Sequence, residues 1–371
     1  MITLSLRRDW PTVSGDTASD ELRLTDLGER EIFAQLLRPR YGDTPGFGDD
    51  CAVLPRVRFD GGELVATTDN CPAPLVDRLG EQDPFHTGWL LVTVNLSDLA
   101  AAGATPLGLV VNYTLPRQTT VRDFRRLLDG VDACAAHHHT AVVGGDLRDG
   151  DTLQLSATAI GQCAPNRRLG RRGGVAGDRL LLVGSPGYLW AYALLVHGQA
   201  RLSTAETAAV RHRAHHPTAQ LSAGRLLAES GIARAAMDVS DGLYTTVRTI
   251  CETNQLGASI HTDLRLDSVL TKVCEQSGVR PFDLAQTWGD WGLVAVVRER
   301  DVETIVGKLA ADSIAAQEIG TLVTPADGLT LESAGDHVPW RGTEHERFTA
   351  MSWDSSKFDM WRAQLIDSPA T

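Results

Sequence analysis

Five short stretches of this sequence place aspartates where a carboxylate is costly unless it is used. They are Gly48-Asp49-Asp50, Thr67-Thr68-Asp69, Asn95-Leu96-Ser97-Asp98, Gly144-Gly145-Asp146, and the run from Met237 to Leu243 that holds Asp238, Ser240 and Asp241. Several follow apolar runs that read as buried strands, and a carboxylate there needs a partner, hydrogen bonds or a metal. Magnesium takes hard oxygen ligands, usually one or two carboxylates per ion, with water and phosphate oxygens completing the octahedron. Asp49, Asp50, Asp69, Asp98, Asp146, Asp238 and Asp241, with the hydroxyls of Thr67 and Thr68, offer such oxygens for several ions held against a polyphosphate. Asn95 and Asp98, three apart on a helix, share one face. Asp238 and Asp241 straddle the expected start of a helix, whose free N–H groups favour phosphate. The alternative for each is a turn or cap residue: Asp241 opening a helix, Asp146 sitting in a glycine turn. Spacing by itself leaves both readings open.

The cations narrow the chemistry. Lysine occurs only at Lys272, Lys308 and Lys357, and no GxxxxGK[ST] string is present. The phosphate-binding lysine of a P-loop or of a protein-kinase strand is therefore missing. If polyphosphate is bound, metal ions and arginines must neutralise it. The net charge of −12 opposes non-specific nucleic-acid binding. No apolar run is long enough for a membrane span, and residues 1–20 form a polar arm without the apolar core of a signal peptide. Cys51, Cys71, Cys134, Cys163, Cys251 and Cys274 are scattered without a CxxC pair, which points away from a zinc site and toward a reducing, cytoplasmic setting.

The elements that must position these aspartates alternate between strand and helix. Helical spacing of apolar residues marks 29–37, 83–102, 121–138, 189–197, 218–229, 302–310 and a helix capped by Ser240 that runs to Asn254. Strand patterns mark 63–68, 107–115, 141–143, 152–160, 179–183, 235–237, 258–261 and 293–297. The glycine- and arginine-rich stretch 166–177 reads as an interdomain linker. The expected organisation is an arm over 1–24, an N-terminal domain over 25–165, a C-terminal domain over 166–325 and an extension over 326–371. The class is α/β (α+β) in two related-looking halves. His137-His138-His139 and the group His212, His215, His216 read as surface histidines rather than metal ligands.

Read as strings, the clusters carry a resemblance. Gly46 to Leu54 resembles the GxGDD-A-x-L loop of thiamine-monophosphate kinases, and Val94 to Ala104 resembles their VNLSDLAAMGA helix. Val143-Gly144-Gly145-Asp146 is similar to their GGD turn, Met237 to Leu243 to their DxSDGL, and Leu169 to Asp178 to their linker. What the resemblance implies is the two-domain fold of the aminoimidazole-ribonucleotide synthetase-like superfamily, with an N-terminal domain that forms a homodimer. ATP and Mg2+ would lie between the domains. Asp49, Asp50, Thr67, Thr68, Asp69, Asp98, Asp146, Asp238 and Asp241 would hold metal or its waters. Asp146, Arg148, Arg171, Ser240 and Gly145 would hold the nucleotide, with Asp238, Asp241 and Asp146 closest to the chemistry. The implied activity is transfer of the γ-phosphoryl group to a small-molecule acceptor, with no nucleic-acid or membrane partner.

Two segments depart from the family pattern, and both belong to the acceptor side. The family's run after Asp69 ends in His-Phe, whereas Asn70 to Leu75 contains no histidine. The family's GGEDYEL loop reads Thr287 to Leu293 here, with Gly289 and Gly292 in place of acidic residues and Trp288 and Trp291 in place of Gly and Tyr. Asn70, Trp288, Asp290 and Trp291 thus mark an altered acceptor site, the indoles either stacking on a flat acceptor or packing in the core. Thiamine monophosphate or a different acceptor fits this pattern. An amide-activating synthetase of the same superfamily and a non-catalytic Mg–ATP-binding dimer are the alternatives.

Overall fold

The computed structural model describes residues 22–27, 32–43, 62–333, 335–342, 359 and 362–367. Asp49 and Asp50 lie outside them. The first sheet comprises β1 (Glu63–Asn70), β2 (Thr105–Pro116), β3 (Val142–Gly150) and β4 (Gln154–Cys163), in the order β1-β4-β2-β3. β2 and β3 are parallel, and the other pairs are antiparallel. Helices α1 (Pro84–Ala101) and α2 (Val121–His137) pack on one face. Along β2 the two-residue period turns Leu109, Val111, Tyr113 and Leu115 into that core and leaves Asn112 exposed on the other face. Arg40 pairs with Asp132 at 2.7 Å and Tyr41 donates to it at 3.0 Å, fastening the turn over Arg38–Tyr41 to α2.

α1 starts sharply because Asp83 accepts the Phe85 N–H at 2.9 Å and Pro84 needs no N–H partner. Nearly all of its side chains from His86 to Ala100 are buried, so it runs through the interior rather than along a surface. α1 and α2 approach closely where glycines face each other's backbone. A Cβ at Gly88 would stand 2.0 Å from the Leu127 carbonyl, and one at Gly130 would stand 2.0 Å from that of Phe85.

The second sheet has seven strands: β5 (Arg179–Val183), β6 (Ala233–Asp238), β7 (Gly257–His261), β8 (Leu293–Val297), β9 (Ala316–Val323), β10 (Leu329–Ser333) and β11 (Asp336–Pro339), ordered β11-β10-β7-β9-β5-β8-β6. β5 and β8, mid-sheet, are almost wholly buried, as their unbroken aliphatic runs require. The helices are α3 (Tyr188–Val196), α4 (Thr204–His215), α5 (Leu221–Ser230), α6 (Leu243–Asn254), α7 (Ser268–Ser277), α8 (Pro281–Ala285) and α9 (Val302–Ala311). No helix among the described residues is long and apolar enough to cross a membrane.

Two expectations need correction, and one helix goes unmarked in the sequence. Gly144-Gly145-Asp146 is not a turn but lies inside β3, because Gly145 lets the strand press on β2: a Cβ there would meet the Val111 carbonyl at 2.0 Å. Helix α4 carries no apolar spacing to mark it, since only Val210, Ala214 and His215 on it are buried. Its start is nonetheless legible in the Ser203–Glu206 capping box. The stretch beyond Ala326 continues the second domain, for β10 and β11 extend the sheet and Trp340 packs edge-on to Tyr244, ring centroids 5.1 Å apart. Farther on, Leu365 and Ile366 are buried in the cluster of Tyr188, Leu194 and Trp288.

Candidate active site

α1 is the common wall of the site, joined to β1 on one side and to β6 of the other domain on the other. Thr67 Oγ1 donates to Asp98 Oδ2 at 2.5 Å, and the Asp69 N–H donates to Asn95 Oδ1 at 3.0 Å. The Asn95 amide is held in turn by the Leu91 carbonyl at 2.9 Å. Ser97 Oγ, fully buried, donates to Asp238 Oδ2 at 3.0 Å across the domain seam. Burial, with Asp98 and Asp241 beside it, pushes the Asp238 carboxyl up to about 7, while the Ser97 bond and the Arg171 charge pull the other way. Asp98, Asp241 and Arg171 are therefore brought within electrostatic reach of Asp238.

No three His, Cys, Asp or Glu side chains among the described residues close around a single point as a ready-made cage. The donor set is an open seam of hard oxygens, from Thr67 and Asp98 on one domain and Asp238 on the other. It suits an ion that keeps waters and takes phosphate oxygens, as magnesium does.

Strand alternation removes other candidates from this seam. Thr67 and Asp69 face α1, so Thr68 and Asn70 point to the opposite face of the sheet. Thr68 is exposed there and donates to the Ala157 carbonyl at 3.0 Å, while exposed Asn70 pairs with Ser156. Adjacent residues on one strand cannot both ligate one ion from the same side, which corrects the pairing of Thr67 with Thr68. Asp146 and Arg148 pair with Asn112 and Thr114 at the sheet edge opposite β1. Three strand spacings separate that edge from β1, about 14 Å. Asp146, Arg148 and Gly145 are exposed and do not join Asp98 and Asp238 within this chain. Ser240 does not cap α6: the cap position is Gly242, at φ 91°, without a side-chain bond.

The two divergent segments meet. Pro72 to Val76 and the Trp288–Trp291 loop line one narrow cavity of about 30 Å³, inside a cleft with about 370 Å³ of open space. Trp288 and Trp291 are only 8% and 6% exposed, the first in the core of the second domain and the second against Leu90 and Val94 of α1. Asp290 does not face this cleft, for it accepts the N–H groups of Gly187 and Leu189 at 2.7 and 3.4 Å, at the start of α3. Its expected contact with the acceptor is replaced by this anchoring role. The lining also includes His86 and His215, which sequence reasoning missed. The signal available was a histidine at a buried position of an otherwise apolar helix. The two separate histidine groups are not simply surface residues: His215 is 3% exposed, and Trp89 lies between His137 and His216, with ring centroids 5.7 and 4.8 Å away.

Burial and the neighbouring His215 drive the His86 imidazole down to about 4, so it is neutral at pH 7. A histidine lowered in the fold contributes stability that is complete above the unfolded value near 6.5 and lost as pH falls through 4. Replacing His86 with Leu should therefore flatten the acid limb of the stability curve by about 1–3 kcal/mol between pH 7 and pH 4. Urea unfolding at both pH values reads this, and an unchanged acid limb would show that His86 is not buried neutral.

Residues 48–163 match the family of the AIR synthase related protein, N-terminal domain, and residues 175–332 match its C-terminal domain. The thiamine-monophosphate kinase of Synechococcus elongatus is 32% identical over 244 residues, covering 64% of this chain and 73% of that protein. That of Salmonella typhimurium is 28% identical over 322 residues, covering 84% and 95%. The crystal structure of the thiamine-monophosphate kinase from Stenotrophomonas maltophilia superposes with a TM-score of 0.68 at 26% identity, over 81% of this chain and 96% of that one. The chain thus belongs to the thiamine-monophosphate kinase family, built on the two AIR synthase related domains, and is by that membership an ATP-dependent kinase.

Proposed function

We propose that this protein transfers the γ-phosphoryl group of ATP, with magnesium, to a small-molecule acceptor, thiamine monophosphate being the first candidate. The observation that carries the reading is the pair of bonds Thr67–Asp98 and Ser97–Asp238, which gathers carboxylates of both domains along one seam. Magnesium bound there with ATP would screen the negative charge of nucleotide and acceptor and offset charge growing on the leaving ADP. Asp98, Asp238 and Asp241 would hold it, with Asp69 beside them and Asp49 and Asp50 as further candidates. Arg171 would face the phosphates. The Ser97 and Thr67 hydroxyls orient the carboxylates, so that the oxygens are aimed before nucleotide arrives.

The open face of the first sheet supports a homodimer. Leu64 is 48% exposed on it, beside Ala66 and Thr68. In such a dimer Asp146 and Arg148 would lie at the contact, and their part in nucleotide binding would need the second copy. A monomer on sedimentation would remove this reading. The thiols of Cys71, Cys134, Cys163, Cys251 and Cys274 are unpaired, in keeping with a cytoplasmic site of action.

The test is incubation with Mg–ATP and thiamine monophosphate while ADP and thiamine diphosphate are both followed. Equal formation of the two products establishes this acceptor. Mg–ATP binding without thiamine diphosphate assigns a different one, and no Mg–ATP binding removes the kinase reading.

A further inference from the structure

We propose that Thr246 is the positioning residue of the loop from Asp238 to Gly242, and that its buried hydroxyl aims Asp238 and Asp241 at magnesium and nucleotide. The proposal rests on the kinase reading above and adds to it a residue that acts through the carboxylates.

The need for such a residue follows from the sheet. Among the described strands β6 lies at the edge, with β8 as its neighbour. The Val239 N–H donates to the Gly292 carbonyl at 2.8 Å. Opposed residues of an antiparallel pair alternate in bonding, so Asp238, paired with Leu293, turns its own N–H and carbonyl off the edge. Ala236 does the same, and its N–H is taken by the Gly170 carbonyl at 2.9 Å. Asp238 is 4% exposed, and a buried carbonyl without a donor is costly.

Thr246 supplies the donor. It is fully buried on α6, on the side that carries Leu243, Val247 and Ile250. Its Oγ1 is 3.0 Å from the Asp238 carbonyl and 3.3 Å from that of Gly242. A hydroxyl has one proton, and the shorter contact reaches eight residues back to the strand end. Thr249, on the same helix, bonds the carbonyl four residues before it at 2.7 Å, the ordinary arrangement for a helical threonine. The Gly242 carbonyl has a donor of its own, the Thr246 N–H at 3.2 Å. One residue thus holds both ends of the loop that carries Ser240 and Asp241.

The consequence is directional. Ser97 holds the Asp238 side chain through Oδ2, and Thr246 holds its backbone. Fixed at both points, the carboxylate presents Oδ1 to a metal ion in one direction, before nucleotide arrives. Without the Thr246 bond the strand end must twist to find another donor, and Asp238 and Asp241 turn with it.

The test is calorimetric titration of the full chain with magnesium and a β,γ-methylene analogue of ATP. Val keeps the branched shape of Thr but removes the hydroxyl, so Thr246→Val should weaken binding at least about tenfold. Thr246→Ser, which restores the donor, should bind within about threefold of the parent. Val247→Ala, which removes core volume next to Thr246 and leaves the hydroxyl, should also bind within about threefold. Without metal or nucleotide, the Val239 and Leu243 amides should exchange hydrogen at least about tenfold faster in Thr246→Val, relative to those of β5. Thr246→Ala should give the same results and serves if Thr246→Val does not fold. Unweakened binding or unchanged exchange in these variants, no recovery in Thr246→Ser, or an equal loss in Val247→Ala would overturn the proposal. A parent protein that does not bind the analogue would instead overturn the kinase reading, and the exchange rates would still decide whether Thr246 holds the loop.

Discussion

The Asp238→Asn protein should lose phosphoryl transfer by at least about a thousandfold and yet be harder to unfold than the parent when no nucleotide is present. Both effects come from one arrangement. Asp238 is 4% exposed at the end of β6, with Asp98 and Asp241 as charged neighbours and the Ser97 bond and Arg171 opposing them. A carboxyl raised from 3.8 to about 7 works against the fold as pH rises through that window, because the unfolded chain ionises first. The amide removes the charge, keeps an oxygen for the Ser97 hydroxyl, and should return about 1–2 kcal/mol at pH 8 but nothing near pH 4. The same change takes away a hard anionic ligand, so stabilisation by Mg–ATP should fall with turnover. Thermal melts at the two pH values, with and without Mg–ATP, read all of this. Retained turnover, or a protein less stable at pH 8, would remove Asp238 from the metal-binding seam.

Truncating Leu365 to Ala should destabilise the protein by about 2–4 kcal/mol. Leu365 is 2% exposed and Ile366 6%, both buried among residues of α3 and α7, and the Gln199 side-chain amide holds the Ile366 carbonyl. The same cluster contains Leu75, Leu189 and Trp288, which line the cleft between residues 72–76 and the Trp288–Trp291 loop. The loss should therefore loosen the back wall of that cleft, with Mg–ATP stabilisation kept relative to the variant's own baseline. Denaturant unfolding gives the first quantity and thermal melts with and without Mg–ATP the second. A cost below about 0.5 kcal/mol would mean that the segment lies loosely on the surface.

Helices α1 and α2 and most central strands are legible in the sequence, because each buries a periodic or unbroken apolar pattern. The boundaries that fail have local reasons. β3 runs on through two glycines because a missing Cβ serves close strand pairing as well as a turn. α4 escapes the pattern because a helix with three buried residues leaves almost no period to read. The hairpin of β10 and β11 is short, and none of its side chains is buried.

The kind of chemistry and the family can be read from contiguous strings such as Val94 to Ala104 and Met237 to Leu243, and from the scarcity of lysine. Which of those oxygens lie together depends on packing between segments far apart in the chain. A strand turns neighbours to opposite faces, which separates Thr67 from Thr68 and Asp69 from Asn70. A four-stranded sheet puts Asp146 on the edge away from β1. Packing between distant segments brought Ser97 to Asp238 and set His86, Pro72 and Trp288 around one cleft. Such contacts span up to more than two hundred residues of chain, and no local spacing encodes them.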